Sequence, residues 1–313
     1  MKKRLARQLR QKPNRRGTAT VTVAELIRSI AARLKRAKVV FAHGTGDPAV
    51  EAAFLVGETL DIHPDHVSAR AGMAVTAAQQ RKISALVERR IRTRKPAAYL
   101  LGRIYMRGVP FAIDERAIVP RSYLGEILDS EVFAGEAYSL MPDTDSVRSV
   151  LDLCTGSGCL AILAAFRFPR ATVDAVELSK LALDLARKNV AAHRLKQRIR
   201  LLRGDLFAPV KNGRYNLIIA NPPYVDEKGM ASLPPECRHE PRLAFDGGSD
   251  GLSLIRRILN EAGRHLKDRG GLLCEIGRCR PALERAYPGT EFLWLDTEAS
   301  EGEVFWLDAD QLI

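Results

Sequence analysis

No apolar run in this chain of 313 residues approaches the roughly 18 residues that a membrane-spanning helix needs. Nor is there an apolar segment closed by a small-residue cleavage site, so the expected setting is soluble and cytoplasmic, with no membrane partner. Cysteine is sparse. The five, at 154, 159, 237, 274 and 279, are odd in number and form no C-x-x-C pair. That argues against a disulfide framework or a zinc site, and no metal is expected. Internal repeats and low-complexity stretches are also missing. Acidic residues are absent from positions 1–16, which hold eight Lys or Arg out of a total net charge of +12. The remaining chain carries 41 basic against 37 acidic residues, so most of the excess sits in this tail. A solvated, disordered arm over 1–19 is one reading of it, and non-specific contact with RNA phosphates is another. An organelle presequence is a third, though the stretch lacks serine.

Residues 215–220 form an apolar run that reads as a buried parallel strand, and Asn221, Pro222, Pro223 and Tyr224 follow it. An Asn carboxamide oxygen beside a proline carbonyl offers two acceptors for the N–H groups of an amide or amino nitrogen. Proline stiffens the turn and adds no competing donor, and the Tyr224 ring offers a flat face to a planar group. This is the arrangement that methyl transfer to nitrogen requires. An ordinary strand-exit turn accounts for the same four residues, since Asn-Pro and Pro-Pro both mark turns.

Upstream, residues 149–162 read as a strand, a small-residue turn and the start of a helix. Asp152 closes the strand, Cys154 and Thr155 enter the turn, and Gly156 and Gly158 let a ligand approach the backbone near the helix amides. Glu177 ends a second strand twenty-five positions after Asp152, where a carboxylate can take both ribose hydroxyls of a nucleoside. The dinucleotide fingerprint is not met: counted from Gly156, Ala161 stands in the slot of its third glycine, and Cys154 stands where an earlier glycine would lie. A nucleoside without a pyrophosphate fits better, and a dehydrogenase fits poorly. A third strand, near 199–203, leads to Asp205, a candidate acceptor for an adenine amine. Leu206 either covers the ring or belongs to the core.

This series resembles the class I S-adenosyl-L-methionine-dependent methyltransferases, and the chain from about residue 20 resembles the HemK-type protein-(glutamine-N5) methyltransferases. The segments 118–122, 153–159 and Arg238, His239, Glu240 and Pro241 are similar to the branch that methylates a glutamine of large-subunit ribosomal protein L-three. The release-factor branch usually has a glycine where Cys154 stands. The resemblance implies a Rossmann-like, mainly parallel seven-stranded sheet with one antiparallel strand, and a small helical N-terminal domain. It implies S-adenosyl-L-methionine as cofactor, S-adenosyl-L-homocysteine as product, and a ribosomal protein or assembly intermediate as partner. On that reading Asn221, Pro222, Pro223 and Tyr224 hold the substrate, with Asn221, Pro222 and Tyr224 catalytic. Asp152, Cys154, Thr155, Gly156, Gly158, Glu177, Asp205, Leu206 and Asn221 hold the cofactor.

The expected organisation is a tail over 1–19, a helical substrate-recognition domain over 20–95, a β-hairpin linker over 96–140 and a methyltransferase domain over 141–313. Thr22 with Glu25, and Thr76 with Gln79, form capping boxes, and Asp47 with Pro48 opens another helix. The run Arg89, Arg90, Arg92, Arg94 and Lys95 is a candidate contact surface, or else a solvated helix end. Alternation at Val109, Phe111 and Ile113 indicates the hairpin. By the resemblance, Arg121 lies beside the cleft and touches backbone or the cofactor's carboxylate. His239 and Glu240 are read as a loop clamp in preference to an acid–base pair. Three alternatives remain open: methylation of a release factor, methylation of adenine or cytosine in nucleic acid, and a non-catalytic ribosome-binding factor.

Overall fold

Thr22 and Glu25 start the first helix by exchanging hydrogen bonds, Thr22 N to Glu25 Oε2 at 3.0 Å and Glu25 N to Thr22 Oγ1 at 3.3 Å. The helix Val23–Arg36 then buries Val23, Ile27, Ile30 and Leu34 along one face. These elements belong to a computed structural model that describes residues 20–41, 46–133, 140–141, 144–298 and 300–312. The basic tail over 1–19, and with it the expected RNA contact there, lies outside the described residues.

Two further helices complete the N-terminal layer. Pro48–Thr59 opens on Asp47, whose carboxylate takes the Ala49 amide. Ala77–Thr93 opens on the Thr76–Gln79 box and ends at Arg94 in the left-handed conformation, φ +61°, just before Pro96. The apolar faces of the three helices form one cluster centred on Leu34, Leu55, Val56, Ile83 and Val87.

Arg90 corrects the surface expected over 89–95. It is fully buried, with Nε donating to Glu51 Oε1 at 2.8 Å and its other nitrogens donating to the Arg94 and Val40 carbonyls. A guanidinium spans three elements in this way because its fork can satisfy a carboxylate and two carbonyls together. Arg94 is likewise engaged, on the carbonyls of Ala37 and Lys38 and on Glu236. The Arg90 guanidinium is thereby closed off from a substrate, whereas Arg94 stays partly exposed.

The chain divides into two compact units, residues 1–103 with Pro234–His239, and residues 104–233 with 240–313. The boundary therefore falls at Arg103, where 95/96 was expected. The hairpin β1 (Arg103–Met106) and β2 (Val109–Ala112) and the segment after it pack into the second unit and do not form a separate linker. Arg107 and Gly108, both at positive φ, join the two strands as a tight turn. Phe111 and Ile113 point into the core, as the alternation indicated.

The second unit is built on a seven-stranded sheet in the order β5-β4-β3-β6-β7-β9-β8. Its strands are β3 (Ser149–Leu153), β4 (Thr172–Glu177), β5 (Ile199–Arg203), β6 (Tyr215–Ala220), β7 (Leu266–Glu275), β8 (Leu293–Leu295) and β9 (Val304–Asp308). β3 to β7 run parallel, and β9 pairs antiparallel with both β7 and β8. Alternation along each strand sorts the core into two layers. Val150, Leu217 and Ile219 face one layer, with the helix Cys159–Arg167; Leu151, Ile218 and Ala220 face the other, with the helix Ser253–His265. From β3 the chain winds outward through β4 and β5, then crosses to β6 on the opposite side of β3. The winding reverses between β3 and β6, and in such sheets a ligand usually lies outside the carboxyl ends of the strands at that point.

Candidate active site

Register places the sequence-derived residues on one rim. Leu153 pairs with Val176 and Ala220, Glu177 with Arg203, and Ala220 with Cys274, so the segments after β3, β4, β5, β6 and β7 leave the sheet together.

The turn after β3 is held by its own carboxylates. Cys154, Gly156 and Gly158 all adopt left-handed φ, at +59°, +56° and +83°. Glycine takes that conformation freely, whereas at Cys154 a side chain is held in it at a cost of about 1 kcal/mol. A Cβ on Gly158 would lie 3.2 Å from the Ala186 Cβ, so the helix Lys180–Ala192 also packs closely here. Thr155 donates its hydroxyl to Asp152 Oδ2 at 2.5 Å, and the Gly156 amide donates to Glu177 Oε2 at 2.9 Å. Glu177 Oε1 takes the Ser179 amide at 2.8 Å.

Asp152 is fully buried beneath the turn, and burial pushes its carboxyl up to about 7 against the opposing effects of Thr155 and the Ala161 amide. Its Oδ1 makes no hydrogen bond of normal geometry among the described residues. Glu177 is half-buried and its pKa is also raised, chiefly by burial. Asp205 is exposed and paired with Arg257 at 2.8 Å. Leu206 is 4% exposed within the second apolar layer and sits at φ +46°, which supports its core reading.

Asn221 is half-buried directly after the carboxyl end of β6, and its carboxamide has no hydrogen-bond partner among the described residues. Pro222 is buried beside it, and Pro223 is half-buried. Tyr224, expected to offer a ring face to a planar group, is half-buried and held at both its hydroxyl and its ring. Its hydroxyl donates to Glu275 Oε1 at 3.1 Å, and its ring lies on Gly277, where an added Cβ would stand 2.5 Å from Tyr224 Cε2. Burial and the nearby Glu275 carboxylate hold the phenol well above its usual pKa, so it stays protonated as a donor.

Two residues missed in the sequence support the rim. Glu275, 1% exposed at the end of β7, accepts from Ser122 Oγ at 2.6 Å and from the Tyr123 amide at 2.9 Å, besides Tyr224. Burial pushes it up to about 7. Asn189 takes the Ala112 amide at 2.8 Å and donates to the Ser157 carbonyl at 2.8 Å, fastening the hairpin to the turn. An acid closing an apolar strand was a visible signal for the first. A polar residue on the inner face of a helix was the only one for the second.

Arg121 touches backbone, one of its two expected contacts, donating to the Val119 carbonyl at 3.3 Å. It forks onto Glu240 at 2.9 and 3.1 Å and lies over the Phe245 ring. Glu240 also takes the Val119 amide at 2.9 Å, and His239 Nε2 pairs with the Thr93 carbonyl at 2.8 Å. Both contacts are those of a clamp. No group of His, Cys, Asp and Glu among the described residues is arranged to hold a metal ion.

Known families agree with this geometry. The profile of the Methyltransferase small domain matches residues 138–233, and that of the PrmC N-terminal domain matches residues 25–102. Fold and rim together define a class I methyltransferase with a Rossmann-like, mainly parallel sheet. The chain is 59% identical to the ribosomal protein uL3 glutamine methyltransferase of Bradyrhizobium diazoefficiens, over 93% of this chain and 92% of that one. Identity is 45% to the protein of the same name from Burkholderia pseudomallei (93% and 95% covered) and 40% to that from Neisseria meningitidis (96% and 97%). The chain belongs to the family of ribosomal protein uL3 glutamine methyltransferases.

Proposed function

We propose that this chain transfers a methyl group from S-adenosyl-L-methionine to the side-chain amide nitrogen of a glutamine in ribosomal protein uL3, in the cytoplasm. The observation that carries the reading is Asn221: a carboxamide left unpaired after the carboxyl end of β6, beside a proline carbonyl. The residues present suit the cofactor. The turn 154–158 and the first amides of the helix Cys159–Arg167 border the same edge of the sheet, with the Glu177 carboxylate next to them. Glu177 keeps free lone pairs for ribose hydroxyls, Asp205 is exposed enough to meet an amine, and Asp152 stiffens the turn from below. When bound, the cofactor supplies a sulfonium methyl that is already activated.

The protein's task is therefore to aim and desolvate a weak nucleophile. An amide nitrogen is weak because its lone pair is delocalised into the carbonyl. Asn221 Oδ1 and the Pro222 carbonyl accept its two N–H groups and stabilise the positive charge that grows on them. Tyr224, fixed by Glu275 and Gly277, sets the position of that edge. Nitrogen that has gained a methyl is strongly acidic, so its proton can pass to water without a dedicated base. Glu240 is already committed to Arg121 and the Val119 amide.

Mass spectrometry of uL3 from cells lacking this chain tests the proposal. Loss of a methylation increment on one glutamine, restored by the purified chain with labelled cofactor, is the expected result. A fully methylated uL3 in those cells, or transfer only to naked nucleic acid, contradicts it.

A further inference from the structure

The sheet of the second unit is electrically polarised along its strands. Five segments gather at the amino ends of β3 to β7: residues 144–149, 168–174, 194–200, 211–216 and 266–270. They hold ten Lys or Arg and three Asp. The segments at the opposite, catalytic rim, 154–158, 177–180, 203–206, 221–226 and 275–280, hold four cations and four acids. The amino ends of β3 to β7 thus carry a surplus of seven, more than the surplus of four that the whole chain has beyond its first 16 residues, and the exposed Asp308 and Asp310 at the end of β9 lie beyond them on the β7 side.

Some of these cations are explained by the fold. Arg198 donates to the Phe168 and Ala171 carbonyls, Arg214 to the Leu266 carbonyl, and Arg200 forks onto Asp174, which also takes the Tyr215 hydroxyl. Others are not. Arg194, Lys196, Lys211 and Arg269 are exposed, and their side chains make no hydrogen bond or ion pair among the described residues. Repulsion among so many like charges opposes folding unless something gains from it. Of these four Lys196 also lines a cleft of about 590 Å³, with Arg198, Arg200 and Arg214 around a single acid, Asp174.

From β5 to β7 the rim spans four strand spacings, about 19 Å. That length accommodates a row of several backbone phosphates and is too long for a single small anion. Arginine forks and exposed lysines are the groups that pair with phosphate oxygens.

We infer that the amino rim of the sheet is a docking face for the phosphate backbone of RNA. It lies one strand length, roughly 17 Å, from the catalytic rim, so RNA held there leaves that rim open. The inference goes beyond the methylation reading and rests on charge placement alone.

The test uses the full chain and a fluorescent RNA hairpin of about 30 nucleotides, with anisotropy followed from about 50 to 200 mM salt. The variant combines Arg194→Gln, Lys196→Gln, Lys211→Gln and Arg269→Gln. Loss of four phosphate contacts should lower the slope of log affinity against log salt by about 3 and weaken binding on the order of 100-fold near 150 mM. Methyl transfer to the isolated protein substrate should stay at the parent rate. An affinity and slope matching the parent overturn the inference. So does a loss seen only when Lys2, Lys3, Arg4 and Arg7 in the tail are changed to Gln. Binding of poly-glutamate as tight as that of RNA would assign the face to an acidic protein and overturn it equally.

Discussion

Changing Glu275 to Gln should alter how stability depends on pH. In the fold this carboxyl moves from 4.5 to about 7, mainly by burial. Between those values the folded chain holds a proton that the unfolded chain has released, so stability is full below about 4.5 and declines as pH rises toward about 7. The total loss is on the order of 3 kcal/mol, from about 1.4 kcal/mol per tenfold change in proton affinity. Gln resembles the protonated acid and removes this decline. It also brings a second N–H into a site where Ser122, Tyr123 and Tyr224 already donate, and leaving one donor unsatisfied costs about 1–3 kcal/mol at every pH. The variant should therefore be the less stable chain at pH 5, and the gap should close or reverse by pH 8. Scanning calorimetry at several pH values reads this as a relative shift of roughly 5–10 °C in the unfolding transition of the second unit. Asp152 titrates in the same window in both chains and cancels in the comparison. Melting temperatures that stay parallel from pH 5 to 8 would refute the buried, proton-holding Glu275.

Asn221→Ala should lower kcat by about 10²- to 10³-fold, while cofactor affinity by calorimetry and the melting temperature stay near the parent values, because the carboxamide has no internal partner. A matching loss of cofactor binding would contradict that division. Glu177→Ala should act in the opposite order, weakening cofactor binding first and also loosening the Gly156 amide it holds; unchanged affinity counts against its ribose role. Arg90→Ala should destabilise the N-terminal unit by about 3–5 kcal/mol, since it strands the buried Glu51. A shift below 1 kcal/mol in its unfolding transition would show that pair to be dispensable.

What could be read from the sequence was local. Both capping boxes, the hairpin and the strand-to-turn runs depend on residues within a few positions of each other, and all appear where spacing put them. Partners distant along the chain were hidden. Glu275 meets Ser122 across 153 positions, and Arg90 meets Glu51 across 39. Nothing in a run of arginines marks which one turns inward, because burial follows from the carboxylate and carbonyls that other elements bring to it. The candidate site was half legible. Its acceptors at Asn221 and Pro222 stood out as a motif, but Tyr224 read as a platform because the acid that ties its hydroxyl and the glycine under its ring lie more than 50 residues further on.

The short stretch Pro234–His239 sits among the second unit's residues in sequence yet clusters with the first. Its Glu236 is 1% exposed and accepts from the Val40 amide and from Arg94. No single cut, therefore, yields the methyltransferase half intact. A fragment starting near residue 104 would keep this carboxylate and lose every group that neutralises it, leaving an anion-bearing strap beside the clamp at Glu240. Shuffling the helical half between relatives would have to carry those six residues along as its return fare.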